Sequence, residues 1–147
     1  MTPLYIFDLD GTLARDDHRR HALDGHAPPR RWQKFCAACV DDQPNEPVIR
    51  TLQALRRSGA ECWIWSGRSD EVRSQTVEWL CRHGCFGKPS NTLPWWPVGA
   101  PERFRMRKSG DFTPDEVLKR GWLSEIEPPE YARLTGVFDD RDKVVAM

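Results

Sequence analysis

Leu4-Tyr5-Ile6-Phe7-Asp8-Leu9-Asp10-Gly11-Thr12-Leu13 decides the fold of this chain, because an apolar run typical of a buried strand ends in two carboxylates. Side chains alternate along a strand, so Asp8 and Asp10 are predicted to emerge on the same side. Such a pair can hold Mg²⁺ through oxygen and still present one oxygen as a nucleophile. Gly11 permits a sharp turn, and Thr12 can donate a hydrogen bond to a phosphate. An acidic loop that caps a helix is the simpler alternative, but it explains only one Asp and the Gly.

The composition predicts one soluble domain over residues 1–147. The 147 residues carry a net charge of zero, which argues against a protein that coats nucleic acid electrostatically. The five cysteines are too few for a disulfide framework, and no apolar run is long enough for a membrane span. We therefore expect a cytoplasmic protein without a membrane segment, and nothing in the sequence indicates a stable protein partner.

Strand and helix patterns alternate along the chain. Strands are predicted at 3–8, 62–65 and 134–138, an extended segment at 103–107, and helices near 30–40, 47–58 and 69–83 and from Thr113 onward. This alternation predicts an α/β fold, a doubly wound parallel sheet whose functional site lies at the carboxyl ends of the strands.

The segment from Thr113 has the features of a helix start. A hydroxyl residue is followed by Pro114 at the first helical position and by Glu116 three residues after the cap. This start places Asp115 and Lys119 one turn apart, so we prefer Lys119 to Lys108 as the functional lysine of this region.

Four chemical elements follow in a fixed order along the sequence. They are the Asp8 and Asp10 pair, Ser66, a lysine, and the pair Asp139-Asp140. A phosphomonoester requires a nucleophile, a proton donor for the leaving alkoxide, cations for the phosphate oxygens, and acids that hold a metal. The chain supplies all of these groups, and in this it resembles the haloacid dehalogenase superfamily of phosphohydrolases.

The flanking residues narrow the resemblance, which covers essentially the whole chain. His18-Arg19, Ser66-Gly67-Arg68, Arg107-Lys108-Ser109-Gly110-Asp111 and Phe138-Asp139-Asp140-Arg141 are similar to motifs of the 3'-phosphatase domain of bacteriophage-type polynucleotide kinase and its stand-alone relatives. The resemblance implies a Rossmann-like haloacid dehalogenase core with a minimal helical cap, an insert over about 14–45. Family members normally continue past the Asp-Asp motif with a complete helix and a further strand, so we expect the C-terminal strand to be missing.

Carried over residue by residue, the resemblance implies a role for each motif position. Asp8 is the nucleophile and Asp10 the general acid and base. Lys119 neutralises nucleophile and phosphate, and Asp115 orients Lys119. The implied phosphate contacts are Thr12, Arg19, Ser66, Gly67, Arg68 and Arg107. The implied Mg²⁺ ligands are Asp8, Asp10, Asp139 and Asp140.

The expected enzyme is a Mg²⁺-dependent phosphoric monoester hydrolase that works through an aspartyl-phosphate. Its expected substrate is the 3'-phosphate of a nucleotide or polynucleotide end, as in nucleic acid repair. A phosphatase for small molecules, such as nucleoside monophosphates or sugar phosphates, is the first alternative. A non-catalytic module that binds nucleic-acid ends is the second.

Three further patterns each allow two interpretations. Arg103, Arg105 and Arg107 share one face of an extended segment, where they can contact backbone phosphates or form a charged sheet edge. The pairs Cys36 with Cys39 and Cys81 with Cys85, beside His83, allow a zinc site, but small buried thiols are the simpler interpretation. Trp95-Trp96 can stack on a base or pack under a loop.

Overall fold

The computed structural model describes residues 1–24, 30–86 and 101–146 of the chain. Within these ranges the strands are β1 (Leu4–Phe7), β2 (Ala14–Arg15), β3 (Gln43–Pro44), β4 (Glu61–Ser69), β5 (Phe104–Arg107) and β6 (Leu134–Phe138). Four of them form a parallel sheet in the order β5-β4-β1-β6. β1 and β4 are therefore the central strands, and their carboxyl ends meet those of β5 and β6 at one edge.

The helices cover both faces of this sheet. They are α1 (Arg30–Ala37), α2 (Glu46–Arg57), α3 (Arg73–Arg82), α4 (Asp115–Ser124), α5 (Pro128–Tyr131) and α6 (Asp142–Val145), and short 3-10 helices lie among them. The predicted α/β fold with a doubly wound parallel sheet is thus confirmed.

Alternating residues of the central strands build two separate cores. Phe7 and Ile64 belong to the larger one, together with side chains of the helices α1, α2 and α3. Ile6 and Trp63 are their neighbours in sequence and belong to the smaller core, which α4 and the following turn cover. This alternation follows from the two-residue period of a strand, and both cores are dominated by large side chains that are removed from water.

A helical insert follows the first strand and is closed by a short antiparallel pair. Ala14 of β2 pairs with Pro44, and Arg15 pairs with Gln43 of β3. Between these two strands lie the 3-10 helix Asp17–Leu23 and α1. Asn45 joins the ends further, because its backbone N–H donates to the carbonyl of Leu13 and its side chain donates to the carbonyl of Thr12, both at 2.8 Å. The insert therefore leaves and re-enters the core at nearly the same place.

Three boundaries differ most from the sequence expectation. α3 begins at Arg73 rather than near residue 69, because β4 runs to Ser69 and the 3-10 helix Asp70–Val72 follows it. β4 continues through Ser66 to Ser69, where a loop was predicted, because Ser66 and Ser69 still pair with β5 across a register shift. α4 begins at Asp115, one residue later than predicted, and no side chain caps it. The Thr113 hydroxyl interacts with Asp111 instead, so the predicted capping box does not form.

The remaining alternatives from the sequence are partly tested. None of the five cysteines, all of which lie in the described ranges, forms a disulfide bond, and among the described residues the group of side chains able to hold a metal contains only aspartates. The zinc interpretation therefore has no support in this part of the chain. Trp95-Trp96 lies outside the described residues. None of the described helices has the length and apolar character needed to cross a membrane.

Candidate active site

The predicted site residues converge where the parallel strands end. Asp8 follows β1 directly, and its backbone N–H donates to the carbonyl of Phe138 at the end of β6, at 2.8 Å. Asp139 and Asp140 continue from that same strand end. Asp10 lies two residues beyond Asp8, on the turn toward the insert. One edge of the sheet therefore brings the first and the last of the sequence motifs together.

Lys119 is surrounded by the carboxylates on the side of the site next to β6. Its Nζ lies 2.8 Å from Asp8 Oδ1, 2.9 Å from Asp115 Oδ2 and 2.7 Å from Asp139 Oδ2. Asp115 is one helical turn before Lys119, so α4 itself places its carboxylate beside the ammonium. Burial lowers the pKa of Lys119, but the three carboxylates outweigh burial and hold that pKa above its usual value. The lysine is therefore cationic at neutral pH.

Asp8 is the buried carboxylate of this cluster. Burial raises the pKa of Asp8 to about 8; Lys119 opposes this rise, whereas Asp139 and Asp115 add to it. Lys119 alone does not offset the burial and the neighbouring acids. A carboxylate in such surroundings is readily ionised only when a further cation lies beside it, because an opposite charge favours the charged form.

Three carboxylates are placed to hold that cation. Oxygens of Asp8, Asp139 and Asp140 lie within 4.8 Å of one another. An all-oxygen donor set suits Mg²⁺, which prefers hard carboxylate ligands. Gly11 has a φ of +80° and lies so close to Asp140 that a Cβ there would overlap its carboxylate. The turn after β1 thus requires glycine for its conformation and for the approach of Asp140.

Asp10, the fourth predicted metal ligand, is not in this group. Arg19 Nη2 lies 2.5 Å from Asp10 Oδ1, and Arg68 contacts the same oxygen through Nε at 2.8 Å and Nη2 at 2.5 Å. Burial raises the pKa of Asp10, but Arg68 and Arg19 outweigh burial and lower that pKa below its usual value. Asp10 is therefore an ionised carboxylate held between two guanidinium groups.

Asp42 holds both of these arginines, and it was not among the site residues predicted from the sequence. Arg19 donates to Asp42 Oδ1 through Nε at 2.7 Å and to Oδ2 through Nη2 at 2.8 Å, and Arg68 Nη2 also donates to Oδ2. His18 Nε2 completes the group at 2.9 Å. The Asp42 side chain is fully buried, and such a carboxylate needs paired charges. Its sequence signal was weak, because Asp41-Asp42 precedes a proline-rich turn and resembles an exposed acidic loop.

The other predicted phosphate contacts are only partly exposed to the site. Ser66 is fully buried, and its Oγ accepts a hydrogen bond from the Arg68 backbone N–H at 3.1 Å. Thr12 Oγ1 is buried and has no hydrogen-bond partner among the described residues. Gly67 lies against Asp115 so closely that a Cβ would overlap that carboxylate. Ser66 and Thr12 thus lie behind the surface of the site, whereas Gly67 forms part of it.

Arg107 is fixed beside α4. Its Nε donates to the Gly67 carbonyl at 2.8 Å, its Nη1 to the Thr113 carbonyl at 2.5 Å, and its Nη2 lies 3.4 Å from Asp115 Oδ1. These contacts tie β5 to the end of β4 and to the start of α4. The guanidinium group, whose Nη1 also donates to the Asp111 carbonyl at 3.4 Å, is held near the site by three backbone carbonyls and one carboxylate.

A cavity of about 940 Å³ opens above these groups. Among the predicted residues that line it are Asp8, Asp10, Gly67, Arg68, Arg107, Asp115 and Asp140. Arg103 and Arg105 do not line it. Arg103 instead lies 3.0 Å from Glu61, and Arg105 lies 2.5 Å from Glu125 with its guanidinium over the Trp65 ring. These ion pairs favour the charged-edge interpretation for Arg103 and Arg105.

The chain is similar to known proteins in its family and in its fold. The family model described as the polynucleotide kinase PNKP phosphatase domain matches residues 2–147. No curated protein sequence matches the chain significantly. In fold, the chain is also similar to the class C acid phosphatase from Bacillus anthracis with tungstate bound, at 16% identity and a TM-score of 0.52, over 84% of this chain and 47% of that one.

Two solved assemblies contain more similar chains. One is the Pnkp1/Rnl/Hen1 complex, with 25% identity and a TM-score of 0.64 over 99% of this chain. The other is the Pnkp1/Rnl/Hen1 RNA repair complex, with 25% identity and a TM-score of 0.66 over 98% of this chain. The chain spans only 42% and 38% of the lengths of those two chains. The match over residues 2–147 shows that this chain belongs to the family of polynucleotide kinase PNKP phosphatase domains.

Proposed function

We propose that this protein is a Mg²⁺-dependent phosphatase that removes the 3'-phosphate from nucleotide or polynucleotide ends through an aspartyl-phosphate. The observation that carries the proposal is the contrast between two carboxylates of one strand end. Asp8 lies with Lys119, Asp139 and Asp140, whereas Asp10 lies between Arg19 and Arg68. Membership of a phosphatase-domain family supports the reaction class.

In the proposed reaction Asp8 attacks phosphorus, and the bond from phosphorus to the 3' oxygen breaks. Asp10 gives a proton to the departing 3' oxygen, and it then takes a proton from the water that hydrolyses the aspartyl-phosphate. Phosphate, the free 3'-hydroxyl and ionised Asp8 result, so atoms and protons balance. Mg²⁺ would be held by Asp8, Asp139 and Asp140 and would supply positive charge for the phosphate oxygens.

Lys119 and the arginines supply the remaining charge in this scheme. Lys119 already contacts Asp8, so it can neutralise the nucleophile and an incoming phosphate together. Arg19 and Arg68 contact Asp10 in this structure. We propose that a bound phosphate dianion takes over part of these hydrogen bonds, so that Asp10 takes up a proton from solvent before the bond to phosphorus breaks and then donates that proton to the 3' oxygen. Arg107, which lines the same cavity, would be a further phosphate contact.

A nucleic-acid end as substrate is supported by the structural neighbours. One of them is described as an RNA repair complex, and its matching chain is 25% identical to this one. The cations that line the cavity besides the phosphate contacts are Arg20, Lys108 and Arg141. They are the described groups best placed to meet further phosphates of a polymer.

A small-molecule phosphatase is the second candidate, and one observation favours it. Arg103 and Arg105, the row expected to follow a polymer backbone, are paired with acids away from the cavity. A substrate no larger than a mononucleotide would not need that row.

Phosphate release from matched substrates tests the proposal. The panel contains one oligonucleotide with either a 3'-phosphate or a 5'-phosphate, a nucleoside 3'-monophosphate and a sugar phosphate, each with Mg²⁺ and with EDTA. We expect metal-dependent release from the 3'-phosphates and little from the 5'-phosphate. Preference for the sugar phosphate would favour the second candidate, and release that is equally fast in EDTA would contradict the metal site.

A further inference from the structure

The cavity offers more room than a phosphate group requires. Its volume of about 940 Å³ is near the upper end of the range for sites that enclose drug-sized ligands. Carboxylates and guanidinium groups form the part where the phosphate is expected. The walls further out contain apolar side chains, which contribute nothing to the binding of an anion.

Two of these side chains are large aromatic rings exposed to solvent. Trp32 is 37% exposed and Phe112 is 59% exposed, and both line the cavity. They come from separate elements, Trp32 from α1 of the insert and Phe112 from the segment between β5 and α4. Single exposed apolar residues are common on protein surfaces, but two aromatic rings that line the cavity of the phosphate site are what recognition of a flat apolar group requires.

Trp32 is connected to the phosphate-binding groups by direct contacts. Its ring packs edge-to-face on Phe35, with the centroids 5.9 Å apart and the planes at 90°. The Arg19 guanidinium lies 4.0 Å from the centroid of the Phe35 ring, and Arg19 in turn contacts Asp10. The Trp32 ring is therefore held by packing on Phe35, close to the arginine that is expected to bind phosphate. The Arg31 guanidinium lies 5.9 Å from the centroid of the Trp32 ring.

We propose that Trp32 and Phe112 form a subsite that binds the base of the nucleotide whose 3'-phosphate is removed. This inference rests on the proposed function and adds to it the part of the substrate that is recognised. Aromatic rings stack on all four bases, because every base has a π face. The subsite therefore favours nucleotides over phosphomonoesters without a base, and it does so with little sequence preference.

The test compares two substrates that differ only in the base. They are deoxyadenosine 3'-monophosphate and 1,4-anhydro-2-deoxyribitol 3-phosphate, which has the same sugar phosphate but hydrogen in place of the base. Each is assayed with Mg²⁺. We expect Trp32→Leu and Phe112→Ala each to lower kcat/KM on the nucleotide about tenfold, mainly through a higher KM. Neither substitution should change kcat/KM on the base-free substrate by more than about twofold, because no stacking is lost there.

Control variants separate recognition from structural damage. Tyr131→Ala removes an aromatic ring that is 54% exposed but does not line the cavity, and it should leave both substrates unaffected. Trp32→Phe keeps a smaller π face and should restore most of the nucleotide preference. Equal losses on both substrates would mean that Trp32 only supports Arg19, and unchanged kinetics in both variants would also overturn the subsite.

The failure of the proposed function is distinguishable from the failure of the subsite. If the wild-type protein hydrolyses both substrates equally well, the proposed phosphatase function stands and the proposed subsite is overturned. A wild-type protein that hydrolyses neither of these substrates nor the 3'-phosphorylated oligonucleotide is not the proposed phosphatase, and calorimetric titration with deoxyadenosine 3'-monophosphate then decides the subsite. Binding that Trp32→Leu weakens would support it, and an absence of binding would overturn it.

Discussion

Asp8 and Asp10 belong to one strand end, yet their surroundings are electrostatically opposite. Asp8 lies with two further carboxylates and a lysine, and burial raises its pKa to about 8. Asp10 lies between two guanidinium groups, which lower its pKa despite its burial. The first surroundings favour a bound metal cation, and the second favour an ionised Asp10. Partners from distant parts of the chain, rather than the residue type, thus give two aspartates opposite electrostatic surroundings.

Substituting each of the two carboxylates tests whether they have different roles in turnover. Asp8→Asn removes the nucleophile, so turnover should fall by several orders of magnitude on every substrate. Asp10→Asn should lower turnover of a 3'-nucleotide about 10²- to 10⁴-fold, because the leaving hydroxyl is no longer protonated. Phosphate release measures both effects, and circular dichroism checks that the fold is retained.

The leaving group sharpens this prediction. With p-nitrophenyl phosphate, whose leaving group needs no proton, Asp10→Asn should release a burst of nitrophenol equal to the enzyme concentration and then turn over slowly. Asp8→Asn should give no burst. Equal behaviour of the two variants would mean that the two carboxylates do not have the separate roles proposed here.

Substitutions of two lysines test the surroundings of Asp8 separately from those of Asp10. Lys119→Ala removes the cation that contacts Asp8, Asp115 and Asp139, and we expect kcat to fall on the order of 10²-fold or more. Lys108→Ala removes an exposed lysine of the same cavity and should change kcat by less than about threefold. A larger loss in Lys108→Ala than in Lys119→Ala would reverse the assignment.

A substitution at Asp42 changes the arginine pair beside Asp10 without changing a proposed catalytic group. Asp42→Asn removes one of the two carboxylates that Arg19 and Arg68 share and leaves only Asp10 as their common counter-ion, which should lower the free energy of unfolding by about 3 kcal/mol. Asp41→Asn changes the exposed neighbour and should cost less than about 0.5 kcal/mol. Urea unfolding of both variants measures the difference, and similar costs would show that Asp42 is not the anchor of the arginine pair.

The smallest expected effect on stability is that of Glu61, the first residue of β4, at the end of the sheet away from the site. Burial raises the pKa of Glu61, but hydrogen bonds from Trp63 and Arg133, together with the charges of Arg103 and Arg133, lower it overall. The stabilisation by Glu61 is therefore complete above its ordinary value of 4.5 and is lost as the pH falls through the lower folded value. Glu61→Gln should remove less than about 1 kcal/mol at pH 7, and the difference should shrink in urea titrations toward pH 3. A difference that grows with acid would contradict this sign.

The parallel sheet was predictable because its signals are local. The apolar run before Asp8 and the run Leu134–Phe138 each specify a strand through their own residues, and β6 has the predicted bounds. The Asp115 and Lys119 pair was equally local, since helix periodicity alone places them together. The start of α4 was predicted one residue early, because the Thr113 hydroxyl interacts with Asp111 rather than capping the helix.

The partners of Asp10 were only partly predictable. Arg19 and Arg68 were assigned from motifs, but their joint bonding to Asp42 depends on the path of the insert, which periodicity does not specify. The length of β4 was missed for a similar reason, since pairing with β5 extends it through Ser66–Ser69, which by sequence resembles a turn. The environment of Arg103 and Arg105 depends on Glu61 and Glu125, which are distant in sequence.

The closure of the insert by β2, β3 and Asn45 has a consequence for how much additional chain the insert can accept. The two ends of the insert are already tied together, so the chain between them is a loop whose closure is fixed in the folded state. Doubling the length of such a loop costs only about 0.6 kcal/mol in closure entropy. Segments grafted into the insert are therefore thermodynamically inexpensive, provided that the graft retains Arg19 and Asp42. The strand end that holds Asp8 would remain unchanged while the wall that carries Trp32 is exchanged.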